Sequence, residues 1–324
     1  MSRILFGSYI RIFELTQSLE AILFHGSEVR RALRLPKFLP LFLEDENVLV
    51  FGYSPTFLDS LIFRLMKNRC NILFDIADIP HLQAMYLEPS KAPDPKHRRP
   101  FFQLADVADI LLFISPSLLR LSGLDNLKKK VLIVPNASNP TFFRSTPLPS
   151  KKEKIILCVS GYAPMRGIDV LVDAFCMIRK KRKDVLLKLV GPNIPSKLLK
   201  EGVVIERNKF YEHMPQVFSK SNVCVIPHRK NPYMESALPI KLFDAMAASR
   251  PVVVTNCFEM RNLVRNEKCG ISTDFDAKSL SEGIDFLLSN KVATEMGLRG
   301  REAVEKRHSW RHRAEKIKHF LGRK

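Results

Sequence analysis

Lys241 and Asp244 stand three residues apart in the stretch Glu235-Ser-Ala-Leu-Pro-Ile-Lys-Leu-Phe-Asp-Ala-Met-Ala-Ala-Ser-Arg-Pro-Val-Val-Val-Thr255, the part of the chain where residue types and spacing most clearly offer chemistry. Pro239 suits the first position of a helix, because its missing N–H would be an orphan there anyway, so a helix is expected over 239–248. The first-turn N–H groups that follow, that of Ile240 among them, form a positive end suited to phosphate. Lys241, Asp244 and Ala248 fall at i, i+3 and i+7 on one face, with Leu242, Ala245, Met246 and Ser249 on the other, against a sheet. A cation and a carboxylate would then look out together beside an anion-binding helix start. A capped amphipathic helix with an ordinary Lys–Asp pair satisfies the same pattern.

A second candidate is Ser160-Gly-Tyr-Ala-Pro-Met-Arg-Gly-Ile-Asp169, a Gly-containing loop between an expected strand and helix. Such loops cradle phosphate, and Arg166 could pair with it bidentately. The loop is neither a Walker loop nor GxGxxG, and a plain helix-entry loop fits it as well. In Asp75-Ile-Ala-Asp-Ile-Pro-His81, the residues Asp75, Asp78 and His81 close a strand at its carboxyl end. A helix cap and a surface histidine account for them equally. The pair Asp274-Phe-Asp276 reads as a turn and N-cap rather than a metal site, so no metal ligands are expected.

The elements that must position these residues alternate between strand and helix. In the first half, strands are expected at Ile4–Gly7, Val48–Phe51, Asn71–Phe74, Ile110–Ile114 and Val131–Val134, with helices over 12–24, 56–66 and 116–122. In the second, strands are expected at Ile155–Val159, Val185–Val190, Val203–Ile205, Val223–Ile226, Val252–Val254 and Gly270–Ser272. Helices fall over 169–180, 239–248 and 277–289, and the last 25 residues read as helical and basic. The implied class is α/β, two Rossmann-like domains of parallel sheet, with a ligand at the carboxyl ends of the strands, in the cleft between them.

Composition narrows the class. The chain has 324 residues, 46% hydrophobic and 26% charged, which is ordinary globular material. Six scattered cysteines without a CxxC pair argue for reduced thiols. No apolar run approaches the ~20 residues that span a bilayer, and the start lacks the layout of a signal peptide, so a cytoplasmic protein is expected. The formal charge is +19, split as 18 basic against 14 acidic residues in 1–150 and 34 against 19 in 151–324. Its usual partners are nucleic acid, anionic membrane or phosphorylated small molecules. No helix-turn-helix, zinc-finger or RNA-binding signature accompanies it, and nucleic acid is not expected as a partner. The basic run at 179–184 suits a helix C-terminus. The apolar connector Leu35–Leu43 is either packed or dips into a membrane or an acceptor lipid.

In order along 153–312, the second half resembles the family-four glycosyltransferases, retaining enzymes of GT-B fold that use nucleotide-sugar donors. The resemblance is carried by ValSerGlyTyrAlaProMetArgGlyIleAspValLeu at 159–171, LysLeuValGlyPro at 188–192, MetProGlnValPheSerLysSerAsnValCysValIlePro at 214–227, and the block at 237–255, whose ProIleLysLeuPhe wording is similar to the teichuronic-acid and polysaccharide branch. SerTrp at 309–310 resembles the start of the closing helix that crosses back to the first domain. The first half matches more loosely, through 3–9, 25–29 and 133–139.

The resemblance implies an N-terminal acceptor-side domain over 1–149, a nucleotide-sugar domain over 150–305 and a basic closing helix over 306–324. It implies that Arg166, Lys241, Gly7 and Ile240 contact the donor diphosphate. Asp244 stands where a Glu binds the ribose, Ser236 where a Glu contacts the sugar, with Glu235 one place away, and Tyr162 where some members have Arg. His81 and Asp78 would act catalytically on the acceptor side. No cofactor beyond the nucleotide sugar is implied. The partners are that donor, a saccharide or lipid-linked acceptor, and an anionic membrane surface, with the protein peripheral on its inner face. A non-hydrolysing sugar-nucleotide epimerase and an inactive scaffold of the same fold remain as alternatives.

Overall fold

The computed structural model describes residues 10, 11, 14, 15, 22–24, 48–51, 57–67, 71–82, 95–126, 130–150, 153–207 and 210–322. The expected strand at Ile4–Gly7, with Gly7 itself, and the connector Leu35–Leu43 lie outside the described residues. Two compact units divide the chain: the described residues up to Pro135 together with those from Arg313 onward, and Asn136–His312.

In the first unit the elements run β1 (Ile22–Phe24), β2 (Val48–Phe51), α1 (Phe57–Met66), β3 (Ile72–Ile76), α2 (Pro95–Val107), β4 (Ile110–Phe113), α3 (Pro116–Ser122) and β5 (Lys130–Ile133). The strands form one parallel sheet in the order β1-β2-β3-β4-β5. Every residue of β3 and β4 is buried, as expected of a parallel sheet covered on both faces. α3 follows its sequence signals closely. Pro116 opens it, Ser115 Oγ accepts from Leu118 N at 3.0 Å, and Gly123 ends it at φ +71°.

Two expectations fail here. The helix expected over 12–24 does not include its last residues, because Ile22–Phe24 pair with Val48–Val50 as β1. A short apolar run fits either period, and the neighbouring strand decides. α2 was not expected, because Pro95 and Pro100 interrupt the pattern. Pro95 sits at the helix start, where no N–H is needed, and the buried Phe101 and Leu104 anchor the rest.

The second unit runs β6 (Lys154–Val159), α4 (Ile168–Lys181), β7 (Val185–Val190), β8 (Val203–Glu206), α5 (Met214–Ser219), β9 (Val223–Ile226), α6 (Pro232–Glu235), α7 (Ile240–Ala247), β10 (Val252–Thr255), α8 (Phe258–Glu267), β11 (Gly270–Thr273), α9 (Ala277–Ser289) and α10 (Val292–Arg307). Its parallel sheet has the order β11-β10-β9-β6-β7-β8. The chain moves outward from β6 through β7 to β8, returns to β9, and continues through β10 to β11. Strand order therefore reverses between β6 and β9, which is where doubly wound sheets open a crevice at their carboxyl ends.

The connector after β5 packs within the second unit. The buried Arg250 donates to the carbonyls of Ser221, Thr146 and Pro147, and Ser145 Oγ lies 2.6 Å from Ser249 Oγ. The basic end is two helices rather than one. α10 stops at Arg307 and α11 (Trp310–Leu321) follows, with Ser138 bonded to the break by its N–H to His308 O and by its carbonyl to Trp310 N. From Arg313 the chain rejoins the first unit, where Arg313 Nε donates to Pro135 O at 3.0 Å and Lys316 Nζ to Ile133 O at 2.9 Å. Among the described residues no helix is long and apolar enough to cross a membrane.

Candidate anion-binding site

The loop after β6 is held against the residues that follow β9. A short 3-10 turn at Pro164–Arg166 ends at Gly167, φ +63°, where an added Cβ would lie 1.9 Å from Pro227 O. Only glycine permits that approach. Arg229 N donates to Met165 O at 2.9 Å across the same seam. Arg166 is thereby brought to His228, with Nη1 3.4 Å from Nε2. His228 is 1% exposed, and its carbonyl accepts from Thr255 Oγ1, at the end of β10, at 2.5 Å. Burial, then the charges of Arg166 and Lys241, push its imidazole well below the usual histidine range, so the ring is neutral. Its Nδ1 is buried and has no hydrogen-bond partner among the described residues.

α7 brings Lys241 to the same place. Pro239 precedes the helix with no side chain capping its start, and Ile240 is its first residue. The expected division into two faces does not hold. Asp244 and Ala248 are buried together with Leu242, Ala245, Met246 and Ser249, and Lys241 alone is only partly covered. A helix whose residues are nearly all apolar or small is packed all round. Burial first, then Arg166, lower the Lys241 ammonium to about 7. The nearby Cys158 thiol is pushed up to about 11 by burial, against the pull of Lys241 and Arg166, so it stays protonated and supplies no countercharge. Two cations and a neutral histidine thus meet at the reversal point of the sheet, and among the described residues neither cation has an ion-pair partner. A site of this composition favours an anion, phosphate above all.

The side chains expected at the ribose and sugar are engaged by the chain itself. Asp244 is 3% exposed; its Oδ1 accepts from Ser138 Oγ at 2.6 Å, with Tyr211 Oη at 3.5 Å. Tyr211 stacks on Phe142, ring centroids 5.4 Å apart. Ser236, 1% exposed, donates to Tyr233 O at 2.7 Å. Glu235 Oε2 accepts from Phe258 N at 3.1 Å and so caps α8. Tyr162 is partly buried against the core beneath α4.

In the first unit Asp75 is committed to a buried, two-pronged pair with Arg11, at 2.7 and 2.5 Å. His81 is 4% exposed and packs on Phe101 and Phe102, with ring centroids 5.3 and 6.0 Å away. Asp78 is half-buried three residues before it. Asp276 caps α9 through Ser279 N, and Asp274 accepts from Asn256. Among the described residues no group of three or more His, Cys, Asp or Glu is gathered to hold a metal ion.

Sequence reasoning missed Ser138, Tyr211 and His228. Ser138 lies inside the quoted segment 133–139 but carries no signal of its own, and the quoted segment 214–227 stops one residue short of His228. A histidine directly after a buried strand and a proline was the one available sign.

Residues 153–290 match the family model described as Glycosyl transferases group 1. A GDP-mannose-dependent alpha-(1-6)-phosphatidylinositol monomannoside mannosyltransferase of Mycolicibacterium smegmatis is 27% identical over 181 residues, which are 52% of this chain and 47% of that protein. The chain thus spans about half the length of this curated relative. The structure of Anabaena HepE in complex with UDP superposes with a TM-score of 0.72 at 14% identity, over 98% of this chain and 96% of that one. WaaG, a glycosyltransferase involved in lipopolysaccharide biosynthesis, gives 0.69 at 12% identity over 100% and 99%. The fold is GT-B.

Proposed function

We propose that this protein is a glycosyltransferase that moves a sugar from a nucleoside-diphosphate donor to a saccharide or lipid-linked acceptor, with retention at the sugar and without a bound metal. One observation carries the reading: Arg166 and Lys241 meet, unpaired among the described residues, at the carboxyl end of the sheet where its strand order reverses. Cleaving the bond between sugar and diphosphate builds positive charge on the sugar and negative charge on the departing diphosphate. Arg166, Lys241 and the start of α7 at Ile240 would stabilise the departing charge. Losing one well-placed donor of this kind typically costs about 3–4 kcal/mol of transition-state stabilisation. Asp244, steadied by Ser138, would take the ribose hydroxyls. His81, packed on Phe101 and Phe102, and Asp78 stand as the acceptor-side candidates.

The GDP-mannose dependence of the mycolicibacterial relative and the UDP bound to HepE support a sugar nucleotide as donor. The relative's phosphatidylinositol mannoside substrate supports a lipid-linked acceptor, reached from an anionic membrane surface to which the protein binds peripherally. The ProIleLysLeuPhe wording supports work on a polysaccharide. A second reading, a donor-binding protein that does not turn over, is favoured by the engagement of Glu235 and Ser236 within the chain.

The test is a thermal-shift screen against UDP, GDP, ADP and dTDP sugars, followed by analysis of the products with the stabilising donor. A donor at 100 times its Kd adds about 2.7 kcal/mol of stability, and Lys241→Ala should remove that shift. Release or transfer of the sugar with retained configuration supports the enzyme. Binding without product supports the second reading, and no stabilisation by any sugar nucleotide overturns both.

A further inference from the structure

His228 has two ring nitrogens, and the structure fixes the role of each. Arginine carries only donors, so the contact of Arg166 Nη1 with Nε2 at 3.4 Å is favourable only if Nε2 offers its lone pair. The ring is buried beside two cations and carries a single proton, which therefore sits on Nδ1. Nδ1–H is a buried donor that has no acceptor among the described residues. A buried orphan of this kind is costly, and such groups in native proteins have a reason, a catalytic role or a bound water or ion among them.

The backbone that carries the ring is held on both sides. Its backbone carbonyl is held by Thr255 at 2.5 Å, and the next residue, Arg229, is bonded to Met165 on the Arg166 loop. The missing partner must be an acceptor, and it must suit a pocket that already concentrates positive charge. Phosphate oxygens meet both conditions, since they accept and do not donate.

We propose that His228 is a direct ligand of the donor diphosphate, giving its Nδ1–H to a phosphate oxygen while its Nε2 holds the Arg166 guanidinium in position. The proposal rests on the reading of this site as one for a nucleoside-diphosphate sugar and adds to it a neutral donor beside two cations. Nothing in the ring's role requires it to exchange its proton.

Two substitutions separate the two nitrogens. In His228→Asn the side-chain amide reaches the Nδ1 position and can still donate to phosphate, but nothing reaches Arg166. In His228→Gln the amide oxygen reaches the Nε2 position and can still accept from Arg166, but the Nδ1 donor is gone. Calorimetric titration with UDP and GDP on the full chain should show His228→Gln weakened about 10- to 100-fold and His228→Asn by less. Equal affinity in wild type and His228→Gln, or a larger loss in Asn than in Gln, overturns the assignment while leaving the donor site standing. Failure of the wild-type protein to bind either nucleotide overturns the reading beneath it. Nitrogen-15 spectra of the wild-type histidines guard against variants that fold poorly. His228 should be the neutral Nδ1–H form, and its Nδ1 proton should move on adding the nucleotide. A proton on Nε2, or no response in protein saturated with nucleotide, also overturns the assignment.

Discussion

The two units treat buried positive charge in opposite ways. In the first, Arg11 and Asp75 are both about 1% exposed and bonded to each other through both guanidinium contacts, so their charges cancel inside the unit. In the second, Arg166 and Lys241 crowd each other and a neutral histidine, with no carboxylate paired to either among the described residues. A cancelled pair contributes to holding one conformation together. Uncancelled charge costs folding stability and is retained where an incoming anion offsets it. Other cations of the second unit are already occupied. Arg301 donates to the carbonyls of Phe143 and Ala247; Arg182 pairs with Asp184 and Asp285; Arg299 and Lys306 pair with glutamates one turn away. These cations are held by the chain itself, whereas Arg166 and Lys241 have no carboxylate paired to them among the described residues.

Breaking the cancelled pair should have the largest effect. Asp75→Ala leaves Arg11 buried without its carboxylate and should lower unfolding stability by about 3–5 kcal/mol in urea denaturation, while the double change Arg11→Met with Asp75→Leu should recover most of that loss. Next comes the seam that brings Arg166 to His228. Gly167→Ala requires a left-handed alanine, costing about 1–2 kcal/mol, and adds a Cβ against Pro227 O, so it should both lower the melting temperature and weaken nucleotide binding. Arg166→Ala should do the reverse of Asp75→Ala. It should leave unfolding stability within about 1 kcal/mol of wild type and lower nucleoside-diphosphate affinity about 10- to 100-fold. If Arg166→Ala proves as destabilising as Asp75→Ala, the contrast between the units fails.

Much of this contrast was legible in the sequence on one side only. The strands of the second unit are short apolar runs between turn signals, and α3 and α9 carry their caps in plain view as Ser115 and Asp276, so both match expectation. Arg166 and Lys241 are visible because a cation in a strand-to-helix loop and a cation after a helix-opening proline are local patterns. The buried pair was not legible, because Arg11 and Asp75 are 64 residues apart and only the fold brings them together. The same holds for Ser138 and Asp244, 106 residues apart. α7 misled for a different reason. Its i, i+3 spacing places Lys241 and Asp244 on one face, but spacing does not reveal that α10 covers that helix closely enough for an added Cβ at Gly297 to lie 2.3 Å from Ser249 O.

The smallest effect sharpens the contrast most directly, because it reads the uncancelled charge itself. Lys241 has a pKa of about 7 in the folded protein, held down by burial and Arg166 and only partly relieved by Asp244, against about 10.4 for an unfolded lysine. Between those values the folded state carries fewer protons than the unfolded chain. The contribution of Lys241 to stability therefore rises with pH from about 7 toward about 10 and is least favourable below that window. A bound diphosphate reverses the local field and favours the ammonium, so binding above pH 7 takes up a proton. With an intact sugar nucleotide, whose phosphate oxygens do not titrate in this range, affinity should fall by less than tenfold per pH unit as pH rises through about 7 to 9. Titration calorimetry at pH about 8 in two buffers of different ionisation enthalpy should report close to one proton taken up by wild type and none by Lys241→Met. Equal proton uptake in the two proteins would mean that Lys241 is not the charge the ligand meets, and the second unit would then hold its cation for the same structural reason as the first.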